Sequence, residues 1–206
     1  MNGLIRKDLM SIKGSVAIMV VASVAFSLAF GWDSPMVVLM MITSMMSVVY
    51  GGCFMYDSKC GWDAFAVSSG VPRRRIVSSK FIGGSLMTLV GVAMSIAVAA
   101  AISLVRGIGL DATALAYGIV TALLFGLCLN SVNCTANFVL ENGKAQMLSS
   151  AIVGSLVALT VIVSSMTDGI LDEVPWFVPA AIAVVFIAIT VAGYGVSMRR
   201  FLTKDL

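Results

Sequence analysis

Six apolar runs cross this sequence without a charged residue: Val16 to Phe30, Met36 to Met55, Phe81 to Leu104, Ala114 to about Cys134, Met147 to Met166 and Phe177 to Val196. A helix rises 1.5 Å per residue, so about 20 apolar residues cross a hydrocarbon core of about 30 Å. A buried strand can match such a run in composition but not in length. Across 206 residues, 60% are hydrophobic and 11% charged, against about 25% charged in soluble domains. Six spans consume about 120 positions and leave about 86 for ends and connections, too few for an attached soluble enzyme domain. The expectation is an all-α integral membrane protein of six transmembrane helices, with residues 1–206 forming one transmembrane domain.

Charge placement orients the spans. The amino end, the connections at 56–80 and 135–146 and the carboxyl tail hold 12 of the 13 basic residues, with five acids: Asp8, Asp57, Asp63, Glu141 and Asp205. The other side holds Arg106 alone, against Asp33, Asp111, Asp168, Asp172 and Glu173. The positive-inside rule places both termini and the 56–80 connection in the cytoplasm. The +3 net charge is therefore a topology signal, and no nucleic-acid partner is expected.

Several chemistries are excluded by what is missing. The chain has no histidine, which removes the usual Ser-His-Asp triad and any imidazole-bound zinc. It has no GxxxxGK[ST] segment, so it cannot cradle ATP phosphates by itself. Cys53, Cys60, Cys128 and Cys134 form no CxxC and read as small apolar residues. No catalytic residue, cofactor or metal site is expected in this chain.

The first 14 residues mix Leu4, Ile5, Leu9 and Ile12, at helical spacings, with Arg6, Lys7, Asp8 and Lys13, the pattern of an amphipathic helix lying in the membrane interface. The first span ends in Gly31-Trp32-Asp33-Ser34-Pro35 with no small-x-small cleavage site, so it reads as retained rather than as a signal peptide. In the 56–80 connection, Asp57 to Val67 suits a short helix with Trp62 and Phe65 as apolar surface. Ser68-Ser69-Gly70 interrupts it, and Pro72, suited to a first helical turn, restarts a helix that runs through Lys80 into span three. Trp62 fits membrane anchoring and partner contact equally. Arg73-Arg74-Arg75 is a topology and headgroup signal that also suits an acidic patch on a docked protein. In span four Gly118, Ala122, Gly126, Asn130 and Cys134 recur every four residues, a face small at first and polar later, which favours close helix contact. Asn130, Asn133 and Asn137 are also candidates for lining a translocation path. The crowded Met36, Met40, Met41, Met45 and Met46 suit an adaptable substrate surface or simple gap filling.

The order of “IRKDL” on an interfacial helix, a span pair, “SSGVPRRRIVSSKF”, four more spans and “RRFLTKDL” resembles the small permeases of ABC-2 type transporters in bacterial exporters. The most specific part is the Pro-x-Arg element with its following lysine, here Pro72, Arg74 and Lys80, although arginine replaces the small residues usual after the proline. The resemblance implies a membrane subunit of the bacterial cytoplasmic membrane. It would pair with a second copy or a related permease and be driven by separate ABC-type ATP-binding subunits that hold ATP and magnesium. It also implies an elbow helix over 1–14, carrying Arg6, Lys7 and Asp8, and a coupling region over 56–80. There Trp62, Phe65 and Val67 would enter a groove on the ATPase, with Pro72, Arg73, Arg74, Arg75 and Lys80 orienting the loop. The implied function is export of an amphipathic or hydrophobic substrate such as a peptide, lipid or drug. The alternative is the six-span substrate-binding subunit of a vitamin or metal importer, which requires a convergent polar pocket within one monomer. An intramembrane serine protease lacks the histidine of its common form.

Overall fold

A computed structural model of the chain describes residues 2–30, 35–107, 112–140 and 177–203, with the single positions 144, 147, 151 and 154. Every regular element among the described residues is an α-helix. In chain order they are α1 (Asn2–Ser11), α2 (Lys13–Phe30), α3 (Pro35–Val49), α4 (Gly52–Lys59), α5 (Trp62–Ser68), α6 (Arg73–Arg106), α7 (Ala112–Val139) and α8 (Phe177–Thr203). A helix satisfies each backbone N–H and C=O within its own segment, which suits an apolar chain in lipid, where water offers no partner.

Four stretches are long and apolar enough to cross a membrane: Met36–Lys59, Arg73–Arg106, Leu115–Val139 and Ile182–Thr203. A fifth arises if α1 and α2, bent by 60°, count as one broken span. Together they make this a multi-pass membrane protein. The span expected over Met147 to Met166 lies, apart from Met147, Ala151 and Gly154, outside the described residues, as do most of 135–146 beyond Leu140 and the acidic segment near Asp172.

The centre of the bundle is α3, which packs against α2, α6 and α7, while α8 lies against α7 and, less extensively, α6. Small residues permit this closeness. A Cβ at Gly91 on α6 would come 2.8 Å from Met46 Cβ, and one at Gly126 on α7 would come 2.6 Å from Thr88 Cγ2 and 2.7 Å from Thr43 Cγ2. Between the helices Ser47 Oγ and Thr88 Oγ1 share a hydrogen bond of 3.0 Å. The larger apolar core gathers towards one end of the bundle, around Tyr50, Phe54, Ile76, Val77, Phe138 and Phe201. There Phe138 stands edge-on to Phe54 (centroids 5.2 Å) and to Phe201 (5.3 Å), which joins α4, α7 and α8. The outward faces are apolar too, with Ile18, Leu89, Val184 and Val191 exposed. Faces of this extent would be aggregation patches in water and suit a lipid surround.

Several expected boundaries move. The amino-terminal helix ends at Ser11 rather than 14, and α2 begins at Lys13 rather than Val16. Helical structure leaving span two persists to Lys59, past the expected Met55, because Gly51 and Cys53 carry the chain through the α3–α4 junction with bonds three residues long, Gly51 N to Val48 O and Cys53 N to Tyr50 O. Asp57 thus belongs to α4, and the short helix expected from Asp57 begins at Trp62 instead. The break falls at Gly61, whose φ of 61° is a left-handed conformation that glycine adopts without a Cβ penalty. Helix α7 continues through Val139 into the expected 135–146 connection, so Asn137 is helical.

Candidate functional site

The segment between α4 and α6 is built by its own punctuation. At the end of α5 the Gly70 N–H bonds to Val67 O and the Val71 N–H bonds to Ala66 O, both at 3.0 Å, with Gly70 at φ 82°. This is the Schellman arrangement that satisfies the last carbonyls of a helix, and Val71 packs on the core beside buried Ala66. Pro72, extended at ψ 131°, is the N-cap of α6 rather than its first residue. Its carbonyl accepts from the Arg75 N–H at 2.8 Å. From Arg73 the chain is helical for 34 residues, about 51 Å, so α6 outruns a 30 Å hydrocarbon core by about 20 Å. Arg73 uses that overhang to donate to Leu202 O at 2.9 Å and Phe201 O at 3.4 Å, capping α8 as cations do at helix carboxyl ends.

Beneath α5, four charged side chains from three helices meet. Lys80 on α6 pairs with Asp8 on α1 at 2.9 Å and with Asp57 on α4. Lys7 pairs with Asp8 at 3.1 Å and with Asp57. Each carboxylate therefore lies between two ammonium groups, and the four charges sum to zero. Tyr50 Oη donates to the second oxygen of Asp8 at 3.1 Å. Lys80 Nζ also lies 3.4 Å from Cys53 Sγ and 5.0 Å from the Phe54 ring centroid. Lys80, Asp8 and Asp57 are buried, whereas Lys7 keeps 28% of its side chain exposed. Lys7 is also the corner that touches α5, with its Nζ 4.3 Å from the Trp62 ring centroid. Isolated charges this deep are very costly, so losing any single member unbalances the square.

The expected site residues are distributed as follows. Lys7, Asp8, Trp62 and Lys80 come together in and against the square. Phe65 is 60% exposed, with its ring 5.6 Å from that of Trp62. Val67 is half-buried against the core. Arg74 and Arg75 point outward, as does Arg6. Lys80 has no surface to offer a partner, so any part it has in coupling runs through Asp8 and Asp57. Asn130 and Asn133 are buried and face neighbouring helices, donating to Phe81 O and Val48 O, both at 3.4 Å, and Asn137 donates to Asn133 Oδ1 at 2.9 Å.

A family model described as “ABC-2 family transporter protein” matches residues 3–201, nearly the whole chain. The chain belongs to the ABC-2 transporter family. No curated protein and no solved structure matches it. Membership makes this chain a membrane component of an ABC transporter, and it implies an ATP-binding partner subunit and an oligomeric assembly. In the ABC-2 chain α5, with Phe65 exposed, lies between the end of α4 and the start of α6.

Sequence reasoning overlooked Asp57, Tyr50, Cys53 and Phe54 as members of the site. They recur at 50, 53, 54 and 57, one face of a helix. Asp57 was itself legible as a lone acid closing an apolar span, and an ionisable residue in such a place needs a partner.

Proposed function

We propose that this chain is the permease subunit of an ATP-driven exporter of the bacterial cytoplasmic membrane, with both termini in the cytoplasm. A separate ABC-type ATP-binding subunit would hold ATP and magnesium, and a second permease copy or a related permease would complete the path. The observation that carries the reading is the exposed Phe65 on a short helix whose Trp62 rests on Lys7 of the square. On this reading α5 is the coupling helix and α1 the elbow helix. Closure of the ATP-binding subunits displaces α5. The turn at Ser69 to Pro72 passes that displacement to α6, which is continuous from Arg73 to Arg106 and enters the membrane without a hinge. The square makes α1 and α4 move with it. Phe65 is the docking side chain. Trp62, half-buried over Lys7, is a strut beneath it, and Arg74 and Arg75 are free to meet acidic groups on the partner or lipid. The cargo is an amphipathic or hydrophobic molecule such as a peptide, lipid or drug, and Asn130, Asn133 and Asn137 are the candidates on span four for lining its path.

The test is purification from native membranes and identification of the chains that accompany this one. An ABC-type ATP-binding subunit should co-purify with the natural sequence, and Phe65→Ala should reduce its recovery about tenfold or more, as expected for an interface anchor contributing about 2 kcal/mol. Because Phe65 is exposed, the variant should unfold at the same temperature as the parent. Solitary purification of an active transporter, indifferent to added ATP-binding subunit, would sink the proposal.

A further inference from the structure

On the side of α1 away from the square lies a shallow groove of about 400 Å³, lined by Ile5, Arg6, Leu9, Met10, Lys13 and Leu86. That volume falls within the range of small-molecule clefts, about 300–1,000 Å³. Residues 5, 6, 9 and 10 share one face of α1 at helical spacing, and Lys13 joins them from the start of α2, past the 60° bend, whereas Asp8 turns towards the square and is buried. The square decides the charge of the groove. It engages Asp8 and Asp57 with Lys7 and Lys80, while Arg6 and Lys13 join none of the four ion pairs and no acidic residue lines the groove. The lining surface is almost wholly apolar, the stems of Arg6 and Lys13 included, with Met10 61% and Leu86 42% exposed. Leu86 is six residues deeper along α6 than Lys80, about 9 Å, so the groove runs from charged groups towards the hydrocarbon. A free anion has no use for that apolar floor, and a neutral amphiphile has no use for the cations.

We propose that this groove binds an anionic phospholipid, with its phosphate held by Arg6 and Lys13 and an acyl chain laid along Leu9, Met10 and Leu86. The site stands apart from the coupling reading, since it uses the opposite face of α1. An occupying lipid would brace α1 against α6 from outside as the square does from inside.

The experiment is native mass spectrometry of the detergent-solubilised full chain with its co-purifying partners, titrated with phosphatidylglycerol, phosphatidylcholine or inorganic phosphate. One phosphatidylglycerol should be retained in preference to phosphatidylcholine, and inorganic phosphate at the same concentration should not displace it. Arg6→Gln with Lys13→Gln should weaken phosphatidylglycerol retention about 30-fold, two basic contacts of the strength usual at a membrane surface. The charge-matched pair Lys59→Gln with Arg200→Gln, which lies outside the groove, should not. Leu86→Trp, which fills the apolar floor without changing charge, should weaken retention of both lipids. Equal losses from the two charge-matched pairs would overturn the site, as would displacement by inorganic phosphate or indifference to Leu86→Trp. If Arg6→Gln with Lys13→Gln leaves lipid retention intact and instead releases the ATP-binding subunit, the two cations serve a protein contact and the proposal falls.

Discussion

Asp57 and Lys80 show how individual side chains bind this structure together. Removing one member of a buried ion pair leaves an uncompensated charge and typically costs about 3–5 kcal/mol, whereas replacing both by uncharged groups costs far less. Lys80→Met leaves Asp8 and Asp57 to share Lys7, and Asp57→Asn leaves Lys80 and Lys7 to share Asp8. Each single variant should therefore lower the thermal unfolding midpoint of the detergent-solubilised chain markedly. The double variant, which retains the Lys7–Asp8 pair of 3.1 Å, should be more stable than the sum of the singles by at least 1 kcal/mol or so. Strict additivity would mean that the two groups do not interact. The amino-acid sequence made Lys7, Asp8 and Lys80 visible as candidates, but the pairing was not legible. The partners of Lys80 lie 23 and 72 residues away, and only tertiary contact brings them onto one point.

At the level of elements, α6 shows what small residues make possible. A Cβ at Gly84 would overlap the Asn130 side-chain amide, and one at Gly83 would overlap the Tyr50 hydroxyl. The adjacent glycines are thus the recesses that receive a polar group from α7 and from the α3–α4 junction. Gly84→Ala should destabilise the chain by about 1–3 kcal/mol through overpacking, read as a lower unfolding midpoint. Asn130→Ala alongside it should relieve part of that loss. If Gly84→Ala alone is silent, the helices are not in the close contact described. The small-then-polar face of span four was legible from Gly118, Ala122, Gly126 and Asn130, because spacing by four residues survives in any helix. Their recess on α6 was not, since Gly83-Gly84 within an apolar run carries no sign of what it faces. The break before α5 was misplaced for a local reason. Cys60-Gly61 offers one glycine, whereas Ser68-Ser69-Gly70 offers a cluster, yet both glycines hold positive φ.

Across the whole molecule, the charge asymmetry and the fold make the same demand. The square, the Arg73 cap on α8, and the exposed Arg74 and Arg75 all gather at the end of the bundle that the basic residues assign to the cytoplasm. The asymmetry is legible in composition along the chain because topology depends on the side on which each charge falls, not on which atoms meet. Cys60, between α4 and α5, gives a direct test. It is exposed, whereas Cys53, Cys128 and Cys134 are buried, so the natural sequence carries one accessible thiol at the end that holds α5. A membrane-impermeant maleimide should label it in inverted vesicles but not in intact cells with the outer barrier opened, and Cys60→Ser should abolish the label. Labelling confined to intact cells would reverse the orientation and place α5 beyond the reach of any cytoplasmic ATPase. The label should also report docking, since Cys60 lies two residues before Trp62 and five before Phe65. Bound ATP-binding subunit should slow its modification, and Phe65→Ala should restore the rate of the free chain.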